Sequence, residues 1–314
     1  MSNDLSHLDY FCKTPGDSPY WNESIWFSFS VPERDIHGFI YCFFRPNMNM
    51  LVGGPAIWDN SGNHSYDCLH CDWPYFQAIP EGIEKFNFTA PNSTRIEMLE
   101  PLKKYRLSYD NEGCKIDLIW TGTSEASGHL AMEAATTGAT NDNRGHLEQC
   151  GRAVGTIELF GETIPVDCFS LRDCSYGVRS YDKVVRGSYF WGIKSETDAF
   201  HTLTIGDGDV QPVSGGFLMR DGKMAALKGG ERRVTKDGKY TPDAFDLDLE
   251  DELGRTLSVK GRLTSHYLFT GYPEIGIVWS LLKLDYEGQQ GIGDVQEFLP
   301  RAMYRRRMRG LPLK

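Results

Sequence analysis

From Arg152 to Cys168 the chain alternates apolar and polar side chains on both sides of a glycine-bearing turn, and this pattern constrains the fold more than any other. Ala153, Gly155, Ile157 and Leu159 fall on one face, while Arg152, Thr156 and Glu158 fall on the other. After Gly161-Glu162 the alternation resumes with Ile164, Val166 and Cys168. A repeat of two residues is that of a half-buried strand, so an antiparallel hairpin is predicted. It runs directly into Arg172-Asp173-Cys174-Ser175-Tyr176-Gly177. Charge at the end of a buried strand needs a partner or a chemical role.

The same period recurs along the chain. Residues 24–30 set Ile25, Phe27 and Phe29 opposite serines, and residues 38–44 are an apolar, aromatic run. Residues 105–109 and 114–120 flank Asp110-Asn111-Glu112-Gly113, aligning Ile116, Leu118 and Trp120. Residues 188–193 and 199–205 alternate, as do Phe245, Leu247 and Leu249 and then Leu257, Val259 and Leu263; residues 267–279 follow. Asp221-Gly222 and Asp237-Gly238 are strong hairpin-turn dipeptides, because a type I′ turn needs positive φ at both central residues. One helix is expected, over residues 294–309, and the small, polar stretch 128–145 reads as an inter-domain connection. Short strands with regular turns point to barrels or sandwiches.

Composition bounds the partners. The 314 residues carry a net charge of −10, with a pI near 5.3, which disfavours nucleic acid or an anionic membrane as the main partner. Hydrophobic residues at 40% and aromatics at 12% suffice for a large core and a lined cavity. No run approaches the ~18 apolar residues of a membrane span. The N-terminal residues lack the basic and apolar parts of a secretory signal, so a soluble, cytoplasmic protein is expected, with its eight cysteines mostly reduced. The Asn-x-Ser/Thr triplets at Asn22, Asn63, Asn87 and Asn92 then carry no glycan. Arg301, Arg305, Arg306, Arg307 and Arg309 read as a solvated helix face rather than a polyanion contact.

The densest side-chain chemistry lies in His64, Asp67, Cys68, His70, Cys71, Asp72 and Trp73. A C-x-x-C between histidines invites zinc, yet no second ligand pair follows and the next cysteine is Cys114. A redox motif would open a helix after a strand, and that context is missing. A third reading is a strand, with Asp67, Leu69 and Cys71 on one face and Cys68, His70 and Asp72 on the other. Asp67 or Asp72 could then offer an acid to a pocket, although surface or satisfied polar groups are the plainer reading.

The run Glu148-Gln149-Cys150-Gly151-Arg152, the hairpin, and Leu171-Arg172-Asp173-Cys174-Ser175-Tyr176-Gly177-Val178-Arg179 resemble the junction between halves of the carotenoid 1,2-hydratase-like, or AttH-like, proteins. Tyr176 stands where Trp is usual and Cys174 where His is common. Leu99-Glu100-Pro101-Leu102-Lys103-Lys104-Tyr105-Arg106-Leu107 is similar to a strand entry of that superfamily. The resemblance implies an all-β fold of two lipocalin-like antiparallel barrel or sandwich halves in tandem, residues 1–143 and 144–314, with a short C-terminal helix. Its members add water to isoprenoid double bonds, cyclise terpenoids or close rings pericyclically, so it implies a fold more firmly than a reaction.

Asp173, placed by the matched motif, is the first candidate acid, followed by Asp67, Asp72 and His201. An ion-pair knot of Arg172, Asp173 and Arg179, with Glu148 and Arg152 as further members and Tyr176 bonding across it, is an equal reading of the corner. Trp73, Trp120, Tyr176, Trp191 and Trp279 are candidate cavity walls, with His266, Tyr272 and Glu274 as further pocket residues. There is no G-x-S-x-G elbow, phosphate loop or H-E-x-x-H, so a reaction without cofactor or metal is expected. The expected enzyme is a hydratase/dehydratase (a hydro-lyase) or a cyclase/isomerase. It would bind a terpenoid or polyketide-like substrate in an aromatic-lined hollow inside a closed sheet, where burial keeps one carboxylic acid protonated. The alternative is a lipocalin-like carrier of an unaltered lipophilic ligand. Monomer and homodimer both stay open.

Overall fold

Alternating sequence becomes strand nearly everywhere. The structure, a computed structural model, describes Asp9 and residues 17–128, 145–179, 186–206, 208–236, 242–272, 275–307 and 309–311. The first eleven strands are β1 (Trp21–Val31), β2 (Ile36–Arg45), β3 (Met50–Trp58), β4 (His70–Cys71), β5 (Asn87–Thr89), β6 (Arg95–Glu100), β7 (Lys104–Asn111), β8 (Cys114–Gly122), β9 (Ser127–Gly128), β10 (Gly145–Leu159) and β11 (Glu162–Val178). The remaining eight are β12 (Gly187–Ser195), β13 (Asp198–Ile205), β14 (Val210–Arg220), β15 (Lys223–Thr235), β16 (Ala244–Asp251), β17 (Thr256–Phe269), β18 (Ile275–Tyr286) and β19 (Gln289–Pro300). A helix, Arg301–Arg307, follows.

The chain divides into two units. In the first, an antiparallel sheet runs β4-β3-β2-β1-β11-β10-β8-β7-β6-β5, with β9 paired to β10. In the second, β12 to β19 form a closed barrel in chain order. Each is an up-and-down meander whose first strand pairs with its last, β1 with β11 and β12 with β19. Strands β10 and β11 pair with β8 and β1, so the division falls near residue 180 rather than at the expected 143/144. Residues 129–144, most of the expected connection, lie outside the described residues. Backbone pairing overrides the linker-like composition, because the chain returns to complete the first sheet. No helix among the described residues is long and apolar enough to cross a membrane.

Two-residue turns set the registers. Glu112-Gly113, Phe160-Gly161, Asp221-Gly222 and Glu287-Gly288 all have positive φ at both residues, from 50° to 82°, the I′ geometry that follows strand twist. The hairpin turn predicted at Gly161-Glu162 is thus centred one residue earlier. Asp237-Gly238 lies outside the described residues. The helix is shorter than expected because Asp294 to Pro300 belong to β19. Of the strand reading for residues 64–73 only His70–Cys71 is strand, the residues before it forming turns and bends.

In the first unit Ile25, Phe27 and Phe29 of β1 meet Ile40, Cys42 and Phe44 of β2 and the apolar rows of β7, β8, β10 and β11. Trp120 sits in this core, 5.6 Å from the Phe27 ring, and its Nε1 donates to Ser170 Oγ at 2.9 Å. In the second unit Phe190, Phe200, Phe245, Leu247, Leu282 and Leu284 fill the barrel. Strand β1 is buried along all eleven residues, so both of its faces are dry.

Glycines at close approaches test these registers. Gly155 has φ of 154°, and a Cβ there would lie 2.0 Å from the Asp117 carbonyl oxygen; at Gly113, φ 76°, a Cβ meets nothing. Gly113→Ala should therefore cost about 1 kcal/mol, the strain of positive φ alone. Gly155→Ala should cost more than about 3 kcal/mol, because the β8–β10 ladder must open. Urea melts of the two variants check the ordering, and equal losses would contradict the pairing.

Candidate active site

Alternation decides what each strand shows to each face. In β11 Arg172 and Cys174 point into the core of the first unit, so Asp173 points to the opposite face. Register then builds a row across four strands. Tyr41 in β2 opposes Trp26 in β1, Trp26 opposes Asp173 in β11, and Asp173 opposes Glu148 in β10. Directly opposed residues share a face. His146, two residues before Glu148, shares it too: its Nε2 lies 3.2 Å from Glu148 Oε1 and 3.3 Å from Asp173 Oδ2. Trp26, Tyr41, His146 and Glu148 are buried, whereas the Asp173 side chain stays 18% accessible.

An aromatic surface continues from this cluster. The Trp73 ring lies 5.5 Å from Tyr41, 6.1 Å from Phe39 and 6.3 Å from Phe43. Beside the carboxylates, the Ser24 and Ser175 hydroxyls are 2.8 Å apart, and Arg179 Nη2 donates to Ser175 Oγ. An imidazole within reach of two carboxylates, next to an indole and a phenol, can hold and move a proton beside an apolar surface.

Other expected residues fall elsewhere. Asp67 is exposed in a turn. Asp72 accepts from the Tyr109 hydroxyl at 2.8 Å; burial first, and then Asp72, raises that phenol, so it keeps its proton and donates. Burial pushes the Cys68 thiol up to about 12, and it donates to the His70 carbonyl at 3.4 Å. Trp120 and Tyr176 pack with the core face rather than lining a hollow. The expected ion-pair knot does not form as one cluster. Arg172 turns inward to Asp9, Arg152 bonds Asp167 on the accessible side at 2.6 Å, and Glu148 faces His146. Strand parity separates Arg172 from Glu148.

The second unit has its own buried second face. Phe190 and Phe200 enter the barrel, so Trp191 and His201 face outward from it, contrary to the expected inner wall. Trp191 opposes His201 on β13 and Asp294 on β19, and all three are 2% accessible or less. The next row runs Tyr189, Gln296, Trp279, Tyr267. The His201 ring lies 4.5 Å from Tyr189, Phe269 is 5.9 Å from Trp279, and Tyr272 is 5.7 Å from Phe269. His201, Trp191, Trp279 and Tyr272 thus share one side of the barrel wall. His266 does not join them. A register slip at Ser265, φ 40°, reverses the parity of β17 and turns His266 toward Ser280, Nδ1 to Oγ 2.7 Å. Glu274 lies outside the described residues. Sequence reasoning missed His146, Trp26, Tyr41 and Asp294, although the parity of His146 with Glu148 was available.

Residues 6–300 match a family described as "Domain of unknown function (DUF7064)". The chain belongs to this family. No curated protein matches the sequence. Among solved structures the DUF7064 chain is similar to kievitone hydratase from Nectria haematococca, with a TM-score of 0.59 and 12% identity over 95% of this chain and 93% of that one. A candidate AttH protein from Nitrosomonas europaea gives 0.59 and 12% over 89% and 92%. CghA gives 0.59 and 10% over 92% and 93%. The fold is that of the AttH-like proteins, as the motif around Asp173 implies.

His266 supplies a pH signature. Burial lowers it from 6.5, with Asp243 opposing weakly, so the folded protein favours its neutral form. That contribution to stability is complete above pH 6.5 and is lost as pH falls from there through the lower folded value. His266→Gln should flatten the acid-side fall of unfolding free energy in urea melts between about pH 7 and pH 5. Identical slopes for the variant and wild type would contradict this account of His266.

Proposed function

We propose that this protein is an acid-catalysed enzyme that needs no cofactor, a hydratase/dehydratase or cyclase/isomerase acting on an apolar terpenoid or polyketide-like substrate. The observation that carries the reading is the Asp173–His146–Glu148 cluster in register with Trp26 and Tyr41. The likeness to kievitone hydratase and CghA supports it at the level of fold.

The substrate lies against the Tyr41–Trp73 aromatic surface, and Asp173, the partly accessible member, meets its reacting carbon or oxygen. For hydration, the Asp173 carboxyl O–H bond breaks as its proton joins one alkene carbon, leaving a carbocation at the other. The negative ring faces of Trp26 and Tyr41 stabilise that charge. Water adds to the cation, and its surplus proton returns to the carboxylate through His146. Dehydration runs the same steps backward, with the proton going first to the leaving hydroxyl. Capture by an internal alkene forms a ring instead, and proton loss from another carbon moves the double bond. Glu148 holds the imidazole in place and compensates its charge when protonated.

The test is turnover of acyclic terpenoid alkenes and tertiary terpenoid alcohols in deuterium oxide, followed by mass spectrometry. Asp173→Asn should slow conversion and deuterium uptake by about 10²- to 10⁴-fold, the contribution of a general acid. His146→Gln should slow them less, and Asp67→Asn should leave them unchanged. Full activity in folded Asp173→Asn, or recovery of a bound apolar ligand that is never altered, would overturn the reading.

A further inference from the structure

The geometry points to a carboxylate-binding site inside the first unit, filled here by the chain's own Asp9. Its centre is Arg172, fully buried, with its guanidinium 4.6 Å from the Tyr105 ring centre and 5.5 Å from that of Trp120. Nε donates to Gln149 Oε1 at 2.9 Å, and Nη1 donates to Asp9 Oδ1 at 2.7 Å. The other Asp9 oxygen accepts from the Leu102 backbone N–H and the Tyr105 hydroxyl. Burial raises the Tyr105 phenol, so it stays a donor. Burial alone works against the charge on Arg172, but its neighbours, the Asp9 carboxylate among them, outweigh it.

Three donors fixed by the sheet and the turn before β7 thus converge on one carboxylate. Only the acceptor comes from elsewhere, 163 positions away in sequence. The second unit differs: its buried Arg232 meets Glu297, which belongs to the barrel's own β19. The Arg172 donor set is complete without Asp9, and Nη2 makes no hydrogen bond. A buried guanidinium deprived of its anion is strongly unfavourable, so the emptied site has a large drive to take another. The planar donor arrangement suits a carboxylate better than a spherical anion. Core packing around Phe27, Tyr105 and Trp120 limits the guest to a small acid. Asp9→Ala removes a group the size of formate, and Asp9→Gly one the size of acetate.

Thermal melts and calorimetric titrations of full-length Asp9→Ala and Asp9→Gly, with sodium formate, acetate or chloride at matched ionic strength, test the site. Formate should raise the melting temperature of Asp9→Ala, and acetate that of Asp9→Gly. Both effects should saturate in the millimolar range, the ceiling for so few heavy atoms, with at least about tenfold preference over chloride. Wild type, and Asp9→Ala combined with Arg172→Gln, should not respond. Asp9→Asn, which keeps the shape and plugs the site, should respond less than Asp9→Ala. Equal effects of formate and chloride, an equal response of wild type, or Asp9 variants that stay unfolded even in carboxylate would overturn the site. Binding is the readout, so the outcome is independent of whether Asp173 is the acid of the proposed reaction.

Discussion

A guanidinium placed beyond the reach of water organises each unit. Arg172 lies against the Tyr105 and Trp120 rings, and Arg232 lies against Phe190 and Phe245 at 4.9 and 4.8 Å, 2.5 Å from Glu297. Such a charge persists indoors only with an anion, aromatic faces and several acceptors around it, and losing one partner costs about 3–5 kcal/mol. The pair fixes more than stability. Once Arg172 is committed inward, the next residue has no choice but to face outward, and that residue is Asp173. The buried cation thereby aims the carboxylate.

Strands dry on both faces separate two jobs. One face of β1, β2, β10 and β11 carries the apolar core; the other carries Trp26, Tyr41, His146, Glu148 and Asp173. In the second unit the same division sends Phe190 and Phe200 into the barrel and leaves Trp191, His201 and Asp294 behind it. The aromatic chemistry therefore does not occupy a hollow within either sheet. It lies on the reverse side, where polar groups are held by register rather than by loops.

Hairpins were legible from the letters because a two-residue repeat beside Gly leaves little freedom. Asp173 was legible through its motif, whereas Trp120, expected as a cavity wall, packs into the core in line with Ile116 and Leu118. The partner of Asp173 was lost by a small misplacement. Centring the turn on Gly161-Glu162 opposes Glu148 to Ser175, whereas centring it on Phe160-Gly161 opposes Glu148 to Asp173. Asp294 was hidden because β19 has polar residues on both faces, Asp294 and Gln296 on one and Glu297 on the other, so it lacks a strand's alternation and borrows the look of the arginine-rich helix after it. The Asp9–Arg172 contact leaves no local trace, since nothing near either residue specifies the other. A bulge at Ser265 is invisible to a periodic count, which from Leu263 sets His266 on the Trp279 face instead of opposite Ser280.

In both units a tryptophan of the first strand faces an aspartate of the last, Trp26 with Asp173 and Trp191 with Asp294. These seams join the parts of each unit that leave the ribosome furthest apart in time, and they close a long loop whose entropy must be lost before contact is rewarded. Neither acid–indole pair can exist on a nascent or half-assembled sheet. Closure of each seam thereby waits until synthesis of the unit is complete, which makes the seam a built-in timer as well as a joint.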